Sequence, residues 1–82
     1  MARARIVDVS DLEAPRPMAV ALEHLRSLDP DEYVVLRHRR EPYPLYAMLP
    51  ELGFSFVVRT GSETEVEVVI WRSDGDPPEG TE

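Results

Sequence analysis

Ile6-Val7-Asp8-Val9-Ser10-Asp11-Leu12-Glu13-Ala14-Pro15-Arg16-Pro17 sets a strand, a turn and the opening of a helix in succession. Ile6, Val7 and Val9 supply the β-branched run of a short strand. Pro15 and Pro17 suit the first turn of a helix, because the donor a proline lacks has no intrahelical partner there anyway. Met18, Ala21, Leu22, Leu25 and Leu28 then recur at spacings of three and four, which makes one apolar stripe on a helix ending near Leu28. His24 lies off that stripe and is expected to face solvent, and Asp29-Pro30-Asp31 stops the helix.

Tyr33-Val34-Val35-Leu36 reads as a second strand, followed by a proline-bearing loop and a second helix at about Pro44 to Leu52. Pro50 limits that helix and Gly53 closes it. Phe54 to Thr60 and Glu65 to Arg72 alternate in polarity, with Gly61-Ser62 as a hairpin turn between them. The resulting order is βαβαββ. It predicts an α+β two-layer sandwich, a four-stranded mixed sheet with both crossover helices on one face. An antiparallel register with Tyr33 opposite Trp71, Val35 opposite Val69 and Arg37 opposite Glu67 also sets Val34 against Ile70 and Leu36 against Val68. Both faces of the pair are then chemically consistent. The expected organisation is an N-terminal extension over residues 1–4, one domain over 5–72 and a disordered acidic tail over 73–82.

The 82-residue chain has room for one small core, which buries roughly 60% of the unfolded surface and leaves about 3–5 kcal/mol of stability unless it oligomerises. Sixteen acidic residues against nine basic ones give a formal charge of -7, which repels nucleic acid and anionic membranes on average. The absence of cysteine excludes disulfides, thiolate metal sites and a thiol nucleophile in these residues. The longest apolar run, Met18 to Leu22, is far too short to span a bilayer. The sequence is therefore expected to be cytoplasmic.

The strand, turn and Pro15-Arg16-Pro17 helix start resemble sulfur-carrier proteins of the TusA/SirA type, in which a cysteine precedes Pro-x-Pro and accepts a persulfide. Ala14 stands at that position here. More closely, the chain resembles an uncharacterised TusA-like family of conserved domains, found alone or joined to hemerythrin-like domains. The residues that carry this resemblance are Val7-Asp8-Val9, Pro15-Arg16-Pro17, His38, Pro42-Tyr43-Pro44-Leu45-Tyr46 and Gly53-Phe54. It implies the sheet order 1-2-4-3, a fold shared with the C-terminal domain of a bacterial translation initiation factor. The persulfide role does not carry over, since alanine has no thiol.

The parallel first two strands bring the loops after Val9 and Leu36 to one sheet edge, with both helix N-termini, where small anions tend to bind. Arg37-His38-Arg39-Arg40, the densest basic run, falls there and is read as a ligand-binding clamp for a small anion. The plainer alternative is a solvated loop neutralised by Glu13, Glu41 and Glu67. His38 is foremost a structural histidine at the strand end, with a metal- or haem-binding redox role as the alternative. Nucleic-acid binding through Arg37 to Arg40 is the weakest reading, against the net charge. The helix-free sheet face, carrying Ile6, Tyr33, Val35, Val57, Val69 and Trp71, is expected to meet a protein partner or a second copy of the chain. No catalytic residue and no obligatory cofactor is predicted. The expected function is a non-enzymatic binding or regulatory module.

Overall fold

The computed structural model describes residues 3–60 and 66–78. Its elements run β1 (Arg3–Asp8), α1 (Arg16–Arg26), β2 (Glu32–His38), α2 (Tyr43–Met48), β3 (Phe54–Thr60) and β4 (Val66–Arg72). The four strands form one mixed sheet in the order β1-β2-β4-β3. β1 and β2 are parallel, and the remaining pairs are antiparallel. The predicted register holds residue for residue, from Tyr33 opposite Trp71 to Arg37 opposite Glu67. The Gly61-Ser62 turn lies outside the described residues, and the ladder of its hairpin is seen up to Thr60 opposite Val66.

Alternation along the strands sends one set of side chains toward the helices. Val7, Val34, Leu36, Val68 and Ile70 pack there with Ala21, Leu25 and Leu28 from α1 and its end, and with Leu45 and Leu49 from α2 and its C-cap. A helix as short as α2, six residues, has no independent stability in water. Leu45 and Leu49, 1% and 0% exposed, hold it in place, each burial contributing about 1.5–3 kcal/mol.

Several element boundaries differ from the sequence reading. β1 starts at Arg3, so residues 3 and 4 of the expected extension pair with Glu32 and Tyr33 as strand. α1 ends at Arg26, two residues short of Leu28, with Ser27 at its C-cap. α2 starts at Tyr43 and ends at Met48, because Pro50 offers no N–H to continue it and the chain passes into turns before Gly53 at φ +90°. Residues 73–78, within the expected tail, follow β4 and make backbone contacts. The Ser73 N–H donates to Gly53 O at 2.9 Å, the Gly75 N–H to Arg72 O at 2.9 Å, and Pro78 is buried.

His24 also departs from expectation. It is half-buried, and Arg5 reaches it from β1, donating from Nη1 to its carbonyl at 3.2 Å and to Ser27 Oγ at 3.0 Å. The other Arg5 nitrogen meets Glu32 at 2.9 Å. Arg5 thus occupies a position on the helix-facing side of β1 and places its charge between Glu32 and the His24 carbonyl near the C-terminus of α1, where a cation is favoured.

Candidate functional site

The parallel β1–β2 pair delivers two loops to one end of the sheet. The Val9 N–H donates to Arg37 O at 2.9 Å, tying the start of the first loop to the end of β2. That loop turns through Leu12, whose N–H donates to Val9 O, and passes Glu13 and Ala14 before α1 opens. The second loop leaves β2 at His38 and crosses Arg39 and Arg40 to Pro42, which flanks α2. Prolines stand at the start of each helix: Pro15 flanks α1, Pro17 lies in its first turn, and Pro44 lies in that of α2.

Between the loops lies a cleft of about 530 Å³. Its walls are apolar, formed by Leu12, Met18, Leu36, Leu45 and the loop prolines. Its polar groups come from Glu13, His38, Arg39 and Arg40. Ala14 lines the same cleft as His38, Arg39 and Arg40 and is exposed. Leu45 belongs to the core, and Leu12 and Met18 pack against it. Their second role, as cleft wall, becomes visible only once both helix starts are placed side by side.

Arg37 does not belong to this group. It sits on the helix-free sheet face, where its Nε donates to Glu67 at 3.1 Å. Strand parity separates it from His38, the next residue. Arg39 and Arg40 are exposed, and neither makes an ion pair among the described residues. Of the three acids expected to neutralise the run, Glu67 does pair with its first member, Arg37, while Glu41 accepts from the Tyr43 hydroxyl.

His38 is half-buried at the cleft, and its Nδ1 accepts the Arg40 backbone N–H at 3.1 Å. That bond requires a lone pair on Nδ1, so the neutral ring carries its proton on Nε2. Burial, then the adjacent charges of Arg39 and Arg40, push the His38 pKa below the usual imidazole value. A metal-bound imidazole donates its other ring N–H to an acceptor, the opposite polarity from the bond seen here. Among the described residues no group of three or more His, Cys, Asp or Glu side chains could hold a metal ion.

The Tyr46 side chain supports the α2 wall from behind, stacked on Phe56 at 5.0 Å between ring centroids and edge-on to Tyr43 at 5.8 Å. Its hydroxyl is buried without a hydrogen-bond partner. Burial, with the Glu41 carboxylate nearby, pushes its pKa up to about 12, so it stays a neutral phenol at any physiological pH.

A second groove, of about 650 Å³, runs along the far ends of the helices past Leu25, Met48, Phe54 and Arg72. Its Arg72 is paired with Asp74 at 2.7 Å, which leaves it without the unsatisfied cation pair of the first cleft. The helix-free face carries Tyr33, Val35, Val57 and Trp71 half-buried, while Val69 between Val35 and Val57 is already 1% exposed. Ile6 stands out at 56%. Among the described residues no helix is long and apolar enough to cross a membrane.

No curated protein and no solved structure matches the chain. A family described as an uncharacterized conserved protein (DUF2249) does match, over residues 6–72, which takes in the second half of β1, the other strands, both helices and the cleft; the chain belongs to that family.

Proposed function

We propose that this chain is a non-enzymatic binding module whose cleft takes a small anion attached to an apolar body. The observation that carries the reading is the pair Arg39 and Arg40, exposed at an apolar cleft with no acid paired to them among the described residues. Guanidinium groups offer planar, bidentate donors to phosphate or carboxylate, and desolvated leucine, methionine and proline walls favour an apolar substituent on it. A neutral His38 adds a donor at Nε2 without a further charge, and α1 opens without an acidic residue in its first turn. No residue in the cleft forms a nucleophile with an adjacent base, and these 82 residues hold no thiol, so persulfide transfer has no acceptor atom here.

Titration calorimetry of the full chain with phenyl phosphate and with inorganic phosphate tests the reading. Phenyl phosphate is expected to bind the more tightly of the two, and Arg39→Ala and Arg40→Ala each to weaken it about tenfold, the equivalent of roughly 1.4 kcal/mol. Arg37→Ala, on the other face, should leave it unchanged. No binding of either probe, or equal losses from Arg37→Ala and Arg39→Ala, would remove the basis for the cleft as a ligand site.

A further inference from the structure

We propose that two copies of this chain associate through their helix-free sheet faces, about a two-fold axis running along the strands. The cross-strand register arranges that face in rows that cross all four strands in the order β1, β2, β4, β3. One row is Ala4, Tyr33, Trp71, Ser55; the next is Ile6, Val35, Val69, Val57. The last, at the end of the sheet away from the chain's exit at Arg72, is Asp8, Arg37, Glu67, Arg59, which alternates negative, positive, negative, positive.

Such a row is its own complement when reversed. A two-fold axis parallel to the strands lays it against the same row of a second copy in opposite order. Asp8 then faces the second copy's Arg59, and Arg37 faces its Glu67, so every position meets the opposite charge. This works because the strand number is even; an odd alternating row would face itself like against like. The same rotation lays the apolar row on its own reverse, so that Ile6 meets the second copy's Val57 and Val35 its Val69. A two-fold axis across the strands instead sets Asp8 against Ala4 and Glu67 against Trp71, leaving carboxylates on apolar groups with no partner. The register therefore selects one occupant, a second copy, and one orientation.

The charges are arranged to serve this contact as well as the monomer. Within one chain only Arg37 and Glu67 form an ion pair in that row. Asp8 is turned to the Ser10 N–H and hydroxyl, and Arg59 is exposed and makes no ion pair among the described residues. Ile6, 56% exposed beside the half-buried Val35, is apolar surface that a docked partner removes from water. Aligned packing of two twisted sheets within about 30° is the common geometry for such faces.

Sedimentation velocity on the full chain decides the matter. Wild type is expected to dimerise and to dissociate as salt rises. Asp8→Arg sets an arginine against the second copy's Arg59, and Arg59→Asp sets an aspartate against its Asp8, so each variant alone should lose at least tenfold in self-association. Mixed together, the two variants regain opposite charges at both ends and should form a heterodimer near wild-type affinity, a recovery that stabilisation within one sheet could not produce. Ile6→Glu, at an exposed position, should abolish dimerisation with an unchanged thermal midpoint, and it serves alone if a charge variant fails to fold. A wild type that stays monomeric at about 1 mM, a mixture that does not recover, or an Ile6→Glu variant that dimerises as wild type each overturns the proposal.

Discussion

His38 gives the site a titration that can be measured apart from any ligand. Its ring is neutral in the fold because Nδ1 accepts the Arg40 N–H, and burial and the two arginines hold its pKa below the ordinary 6.5. In the unfolded chain nothing does so. As the pH drops below about 6.5 the unfolded state takes a proton that the native state refuses, and stability falls until the native ring titrates too. Above that value the group contributes no slope. His38→Asn keeps an oxygen acceptor for Arg40 and cannot titrate, so its urea midpoint should lose the decline between about pH 6.5 and the native value that wild type shows. The carboxylates of Asp8, Asp31, Glu32 and Asp74, held low by hydrogen bonds, are shifted in the same sense, but their stabilisation is lost only at more acidic pH, near and below about 4. A variant whose slope near pH 6 equals that of wild type would mean His38 is not the titrating group. The same residue marks how far local sequence reaches. Its place at the end of β2 follows from alternation with Val34 and Leu36, and that alternation also puts Arg37 on the other face, yet four basic residues in a row read as one clamp until the strand is followed to its last residue.

Among the elements, the strands are the most legible, because a half-buried strand has only two faces and a wrong register turns every side chain over. Tyr33 opposite Trp71 and Val34 opposite Ile70 could be found from polarity alone. Helix ends are less legible, since they depend on which backbone groups find partners. α2 stops at Met48, its chain continues through Leu49 and Pro50, and the Phe54 N–H returns to Leu49 O at 2.9 Å as β3 begins. That reversal hinges on Gly53, whose φ of +90° suits a residue without Cβ. A Cβ added there would have no atom within 4 Å, so packing is no obstacle and the backbone conformation alone sets the cost. Gly53→Ala is accordingly expected to destabilise the fold by about 1–2 kcal/mol, and Gly53→Asn by less, since asparagine tolerates positive φ better than other side chains. Urea unfolding of the two variants checks the order; equal losses would point to a steric clash at the turn.

Over the whole molecule, the ends of the chain are where hydropathy misleads most. Residues 3 and 4 look like a basic extension because neither is a strand former, but β1 there is fixed by backbone pairing with β2, and Arg3 meets Asp31 at 3.2 Å. At the other end, Ser73 to Pro78 lack large apolar side chains, and a composition of that kind ordinarily cannot offset its ordering entropy. What holds these residues is of another sort. The Ser73 backbone bonds Gly53, its hydroxyl lies 2.8 Å from that of Ser55, and Asp74 accepts two bonds from Arg72 at 2.9 and 2.7 Å. Gly75 then lies so close to Pro30 that an added Cβ would be 2.4 Å from its carbonyl oxygen, and Pro78 is buried. The Arg72–Asp74 pair is exposed and adds little, whereas the Ser73 bonds and the Pro78 burial are lost outright on truncation. Ending the chain after Arg72 is therefore expected to cost about 1–2 kcal/mol, and each kcal/mol shifts the thermal midpoint of a domain this size by roughly 4–8 °C. Gly75→Ala should reproduce most of that loss in the full chain, because the backbone of Pro30 cannot move aside without disturbing the turn into β2. If truncation leaves the midpoint unchanged while Gly75→Ala lowers it, the contact at Pro30 strains the fold without stabilising it; if neither change is felt, the tail is not part of the folded unit.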